Sequence, residues 1–176
     1  MTSQEERTNQ KLRFALLHLE ELKSLPPPAS GNDFERAHHE AFLTQLFGSY
    51  EAFLQELNIL LNCGLNEDGV SLGKMRNALR AKQVASPVLR ELYELDHDLN
   101  SWFRQAKDYR GWSMHISYIP LAFHLGGPKH RKVAIINPQT RAEHQYDIEE
   151  TFASWLLSME QLLSRLRENA TPTKAA

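Results

Sequence analysis

Apolar residues return at three- and four-residue steps through most of this chain, which is the period of an α-helix with one buried face. Leu12, Ala15, Leu16, Leu19 and Leu22 form the first stripe and predict a helix from about Glu5 to Leu25, stopped by Pro26, Pro27 and Pro28. Asn32 then offers an N-cap, and Glu35 three positions on completes a capping-box pattern. From there Phe42, Leu46, Tyr50, Phe53, Leu57 and Leu60, widened by Leu43, Phe47, Leu54 and Leu61, predict one long helix from Asp33 to Cys63, closed by Gly64. At about 1.5 Å per residue such a helix is roughly 45 Å long and serves as the spine of the fold.

The stretch NEDGVSLG reads as a loop, after which Ser71 caps a short basic helix that turns Leu72, Met75 and Leu79 inward. Ser86 and Pro87 mark another start, because proline at the first helical position gives up only an amide that was unpaired anyway. Val88, Leu92, Leu95, Leu99, Phe103 and Ala106 carry that stripe to about Lys107. Asp108 is then expected to cap a shorter helix containing Tyr109, Trp112, Ile116 and Ile119, ended or kinked by Pro120. Beyond Gly126, Gly127 and Pro128, the runs VAII and RAEHQY flank Asn137 and Pro138 and predict a small β-hairpin. Asp147 and Glu150 form a second capping box, opening a last helix with Ile148, Phe152, Trp155, Leu156, Met159, Leu162, Leu163 and Leu166 on one side.

These elements define an all-α fold: an up-and-down bundle of five to six helices around one long helix, with a small hairpin before the last helix. The length of 176 residues suits one core, so residues 1–170 are expected to form a single domain and 171–176 a disordered tail. No apolar run reaches the roughly 18 residues that would mark a membrane helix, and the acidic opening MTSQEERTNQ lacks the apolar region of a secretory signal. A cytoplasmic protein is expected. Cys63 is the only cysteine, which excludes an internal disulfide and a multi-cysteine metal site; at a helix end it reads as a small core residue.

A net charge of −2 gives no overall attraction to nucleic acid, but the charges are unevenly distributed. From Gly69 to Arg90 there is no acid, while Lys74, Arg76, Arg80, Lys82 and Arg90 are present; Glu91, Glu94, Asp96 and Asp98 follow at once. A second basic group, Lys129, His130, Arg131 and Lys132, adjoins the glycine turn. Either group can meet RNA phosphates, although a solvated surface is the commoner reason for such charges, since no stacking aromatics interleave with them.

The sharpest constellation is KDYRGWSMH, in which His115 follows Arg110 by five positions inside a helical setting. It resembles the R-x-x-x-x-H motif of the HEPN superfamily, small helical proteins that include metal-independent ribonucleases of toxin–antitoxin and defence systems as well as inactive binding modules. The resemblance implies a homodimer that joins two motifs in one site, with Arg110 and His115 catalytic and no metal or other cofactor; the charge pattern separately offers Arg76, Arg80, Lys107, Lys129, Arg131 and Lys132 as contacts for RNA phosphates. The chemistry is coherent: a guanidinium clamps a phosphate, and an imidazole that titrates near neutrality moves protons at the attacking and leaving oxygens. The chain departs from the superfamily at Gly111, where a polar residue commonly follows the arginine. The opening phrase RTNQKLRFALLHL also resembles the start of an uncharacterised family of small bacterial proteins.

Two E-x-x-H spacings, Glu35–His38 and Glu94–His97, suggest the paired metal motifs of ferritin-like bundles. Phase opposes that reading: Leu92, Leu95 and Leu99 point inward, so Glu94 and His97 face away, and Glu35 has a capping role. No metal is therefore expected. Phosphate-binding loops, dinucleotide fingerprints, nucleophile elbows and zincin motifs are absent from the sequence. The alternative to an RNA-directed activity is a non-catalytic protein–protein interaction module of the same fold, with Trp102, Phe103 and Trp112 as anchors.

Overall fold

Six helices account for most of the computed structural model, in which residues 3–25, 33–115, 121–125, 131–136, 143–170 and 173–174 are described. They are α1 (Ser3–Ser24), α2 (Asp33–Leu60), α3 (Leu72–Ala81), α4 (Pro87–His97), α5 (Trp102–His115) and α6 (Ile148–Glu168). Short antiparallel strands complete the chain. β1 (Val84–Ala85) pairs with β5 (Thr173–Lys174), while β2 (Leu121–Leu125), β3 (Arg131–Ile136) and β4 (Glu143–Asp147) form a sheet in the order β2-β3-β4. The fold is an all-α helical bundle with these strands as minor additions.

The long helix forms as its pattern predicts. α2 has 28 residues and buries Phe42, Leu43, Leu46, Phe47, Phe53 and Leu57 to 2% exposure or less. Its end is set by side-chain chemistry. Asn58 donates from Nδ2 to the Leu65 carbonyl (2.8 Å) and accepts the Leu65 amide at Oδ1 (3.1 Å), bracing a turn through Asn62 and Gly64, both at positive φ. Leu60, expected on the buried stripe, is 44% exposed, because the helix stops there and the chain turns away. Cys63 is buried in the core.

Three polar pairings fix the register of α1 on α2. Thr8 meets Glu56, Lys11 Nζ donates to Gln45 Oε1 at 3.0 Å, and His18 meets His38. Rising numbers on α1 face falling numbers on α2, so the two helices are antiparallel. Gly48 faces α1, and an added Cβ there would stand 3.3 Å from Lys11 Cδ. α6 runs the other way: Phe152 stacks on Phe42 and Arg167 reaches Glu56, so α6 is parallel to α2. All eight apolar residues predicted for its inner side are buried, and Asp147 Oδ1 accepts the Glu150 amide at 2.8 Å as its N-cap.

The structure departs from the sequence pattern in several places. The stripe from Val88 to Ala106 does not belong to one helix: α4 ends at His97, and α5 begins at Trp102. Asp98 Oδ1 accepts the Asn100 amide (2.9 Å), and Ser101 Oγ accepts the Arg104 amide (3.0 Å) while donating to the Leu95 carbonyl (2.6 Å). These local bonds supply the backbone with partners outside the helix, so the chain breaks and Leu99 stands 67% exposed. Asp108, expected as a cap, lies within α5 and accepts from Arg104 Nε at 2.9 Å. The predicted hairpin gains a third strand at Leu121–Leu125, and Thr173–Lys174 of the expected disordered tail pairs with Val84–Ala85. The caps at Ser71 and Ser86 form as expected, accepting the Lys74 and Leu89 amides.

One buried polar residue of α2 makes stability depend on acid. His39 is 3% exposed, edge-on to Phe152, with an Nε2 that has no hydrogen bond; Glu35 Oε1 is 3.8 Å away. Burial, aided by His38, holds this imidazole down at about 4 from an ordinary 6.5. The unfolded chain takes up a proton there first, so the contribution is full above about 6.5 and is lost as pH falls toward about 4. Urea midpoints measured across that range should show the decline in the parent protein and a shallower slope in His39→Met. Equal slopes would assign the acid loss to other groups.

Candidate functional site

α5 owes its start to the Ser101 cap, and Phe103, Ala106 and Tyr109, each at most 1% exposed, turn one side of it into the core. This places Arg110 at the edge of the buried face. Its Nη1 donates to Glu51 Oε1 of α2 at 2.8 Å, and its Cζ lies 5.6 Å from the centre of the Phe47 ring. The Arg110 side chain is 27% exposed and that of Glu51 58%. Arg110 Nε is buried and makes no hydrogen bond. The carboxylate thus holds the guanidinium in one orientation while offsetting part of its charge.

Gly111 needs no glycine on packing grounds, since a Cβ there would meet nothing within 4 Å. A polar side chain after the motif arginine fits this helix. His115 is the last described residue of α5, and its side chain lies outside the described ones. Five positions correspond to about 140° of rotation and about 7.5 Å of rise on an ideal α-helix.

The described side chains of Arg76, Arg80 and Lys107 have surroundings of their own. Arg76 and Arg80 line, with Arg90, an open groove of about 310 Å³ between α3 and α4, floored by Leu79, Val84 and Leu89. Arg76 Cζ lies 3.6 Å above the Tyr93 ring, which in turn stacks on His97. Lys107 is tied to Asp96, with its Nζ 2.6 and 2.8 Å from the two carboxylate oxygens. Arg131 and Lys132 lie on β3 opposite Leu125 and His124; their side chains, like all of Lys129, are outside the described residues. The sequence reading named neither Glu51 nor Arg90 at these sites. Arg90 was visible as the end of the acid-free stretch, whereas nothing local to Glu51 points to a partner 59 positions away.

Of the three aromatic anchors proposed for an interface, Phe103 is a core residue, 1% exposed and edge-on to Phe47, Tyr50 and Trp102. The large apolar side chains that do reach solvent include Phe14 and Leu17 on α1, Met114 on α5 and Leu157 on α6. Among the described residues no group of three or more His, Cys, Asp or Glu is arranged to hold a metal ion, and no helix is long and apolar enough to cross a membrane.

Fold and site together define a small all-helical bundle protein with a carboxylate-held arginine on its fifth helix. Residues 1–172 match a family of unknown function (DUF6586), and the chain belongs to that family. No curated protein and no solved structure matches the chain.

Proposed function

We propose that this chain is a HEPN-like cytoplasmic protein that binds and cleaves RNA without a metal, in the manner of the ribonucleases of bacterial toxin–antitoxin or defence systems. Arg110 clamps the scissile phosphate, and His115 transfers protons at the attacking and leaving oxygens. The observation that carries this reading is the placement of the whole R-x-x-x-x-H sequence on one helix, with Arg110 oriented by Glu51. The angular separation of the two residues supports a homodimeric site in which motifs from two copies face each other. Arg76 and Arg80, together with Lys129, Arg131 and Lys132, then meet the RNA backbone away from the reacting phosphate.

The test is incubation of the purified protein with total RNA in the presence of a chelator, beside Arg110→Ala and His115→Ala. Cleavage is expected in the parent and at least about a hundredfold weaker in His115→Ala, the loss associated with a missing proton-transfer group. Cleavage that persists unchanged in both variants removes these residues from the reaction.

A second reading, a non-catalytic interaction module, is favoured by the ion pair that offsets the Arg110 charge and by the exposed Phe14, Leu17 and Leu157. Consistent recovery of one protein partner, with no RNA bound or cut, decides for that module.

A further inference from the structure

At the other end of the bundle from Glu56, His18 of α1 and His38 of α2 turn the same ring nitrogen toward each other, Nδ1 to Nδ1, at 3.2 Å. The ring centroids are 5.2 Å apart at 63°, and the edge-to-face contact of His38 with Phe34, at 4.5 Å, holds the second ring in place. Both residues are half-buried. The sequence pattern offers His38 only in the Glu35–His38 spacing and gives no sign of His18, 20 positions away, as its neighbour.

The distance is what a shared metal ion requires. Two imidazole nitrogens bound at about 2.0–2.1 Å with a tetrahedral angle between them stand about 3.3 Å apart. We propose that His18 and His38 form a two-histidine site for a divalent transition-metal ion of the copper, nickel or zinc type, for which imidazole is a favoured ligand. Glu35, one turn before His38, and Glu149 of α6 are close enough to influence each other, and they place two carboxylates at this end of the bundle. Since no third His, Cys, Asp or Glu among the described residues completes the set, water fills the remaining positions and the ion is exchangeable.

This site joins α1 to α2, so an ion bound there stabilises the antiparallel pair. The full chain, stripped with a chelator, is titrated with Cu²⁺, Ni²⁺ and Zn²⁺ in separate calorimetric runs. One ion per chain is expected, with affinity at least about tenfold weaker in His18→Ala and in His38→Ala, and unchanged in His97→Ala, whose exposed ring meets Tyr93 of its own helix. The unfolding temperature should rise with metal in the parent and not in the two variants. The Cu²⁺ electron paramagnetic resonance spectrum of the parent, which needs no variant to fold, should show two nitrogen ligands. No saturable uptake up to about 100 µM metal, or uptake equal in both variants, reduces the contact to a hydrogen bond between a protonated and an unprotonated nitrogen and overturns the proposal.

Discussion

Arg167→Met is expected to lower the stability of the folded chain by about 3–5 kcal/mol, the usual loss when one member of a buried ion pair is removed. Glu56 is 3% exposed and Arg167 26%. The guanidinium donates from Nε to Oε2 at 2.9 Å and from Nη2 to Oε1 at 3.2 Å, and the Thr8 hydroxyl donates to Oε1 as well. One carboxylate thereby joins α1, α2 and α6. Without Arg167 it stays buried with Thr8 as its only remaining polar partner in this network. Glu56→Gln leaves the opposite remainder, an arginine that is a quarter exposed and can turn to water, so its cost is smaller, about 1–3 kcal/mol. The order of the two single variants is the diagnostic, and the Glu56→Gln/Arg167→Met double variant should be more stable than Arg167→Met alone, because no charge is left uncompensated. Urea unfolding followed by circular dichroism measures all three. Equal losses in the two single variants would show that the buried charge does not set the effect.

Phe152→Ala should cost about 3–5 kcal/mol by a different route, the loss of burial plus the cavity left behind. Phe152 is fully buried, stacked on Phe42 with ring centroids 4.3 Å apart and planes at 7°, and it touches Trp155 and the edge of His39. It therefore fixes the N-terminal half of α6 against α2. Leu157→Ala, on the same helix but 55% exposed, should stay within about 0.5 kcal/mol of the parent. Thermal unfolding of the pair separates burial from helix propensity, since both changes end in alanine. A large loss in Leu157→Ala would place that side chain in an interface, as the interaction-module reading requires.

The RNA-directed reading and the metal proposal stand on different parts of the molecule. Arg110 and His115 belong to α5, His18 and His38 to the α1–α2 pair, so either can fail without the other.

The periodicity of apolar residues was enough to place α1, α2, α3 and α6, because a helix needs one apolar face and that face is written at every third or fourth position. Serine and aspartate caps at Ser71, Ser86 and Asp147 were legible for the same reason: each acts on amides two or three residues away. The division between α4 and α5 was missed although Asp98, Asn100 and Ser101 are all present, since an unbroken apolar stripe outweighed three local polar groups whose bonding could not be ranked from spacing alone. Arg110 was legible as a motif residue, but its attachment to Glu51 was not.

What the sequence determined by itself is therefore the placing of α1, α2, α3 and α6, the caps at Ser71, Ser86 and Asp147, and the all-α class, all of which rest on interactions within a few residues. Only the tertiary structure decided which distant side chains meet: Glu56 with Arg167 across 111 positions, Arg110 with Glu51 across 59, and His18 with His38 across 20. The physical reason is that these pairings depend on how whole helices pack and in what register, and a one-letter pattern carries no record of either.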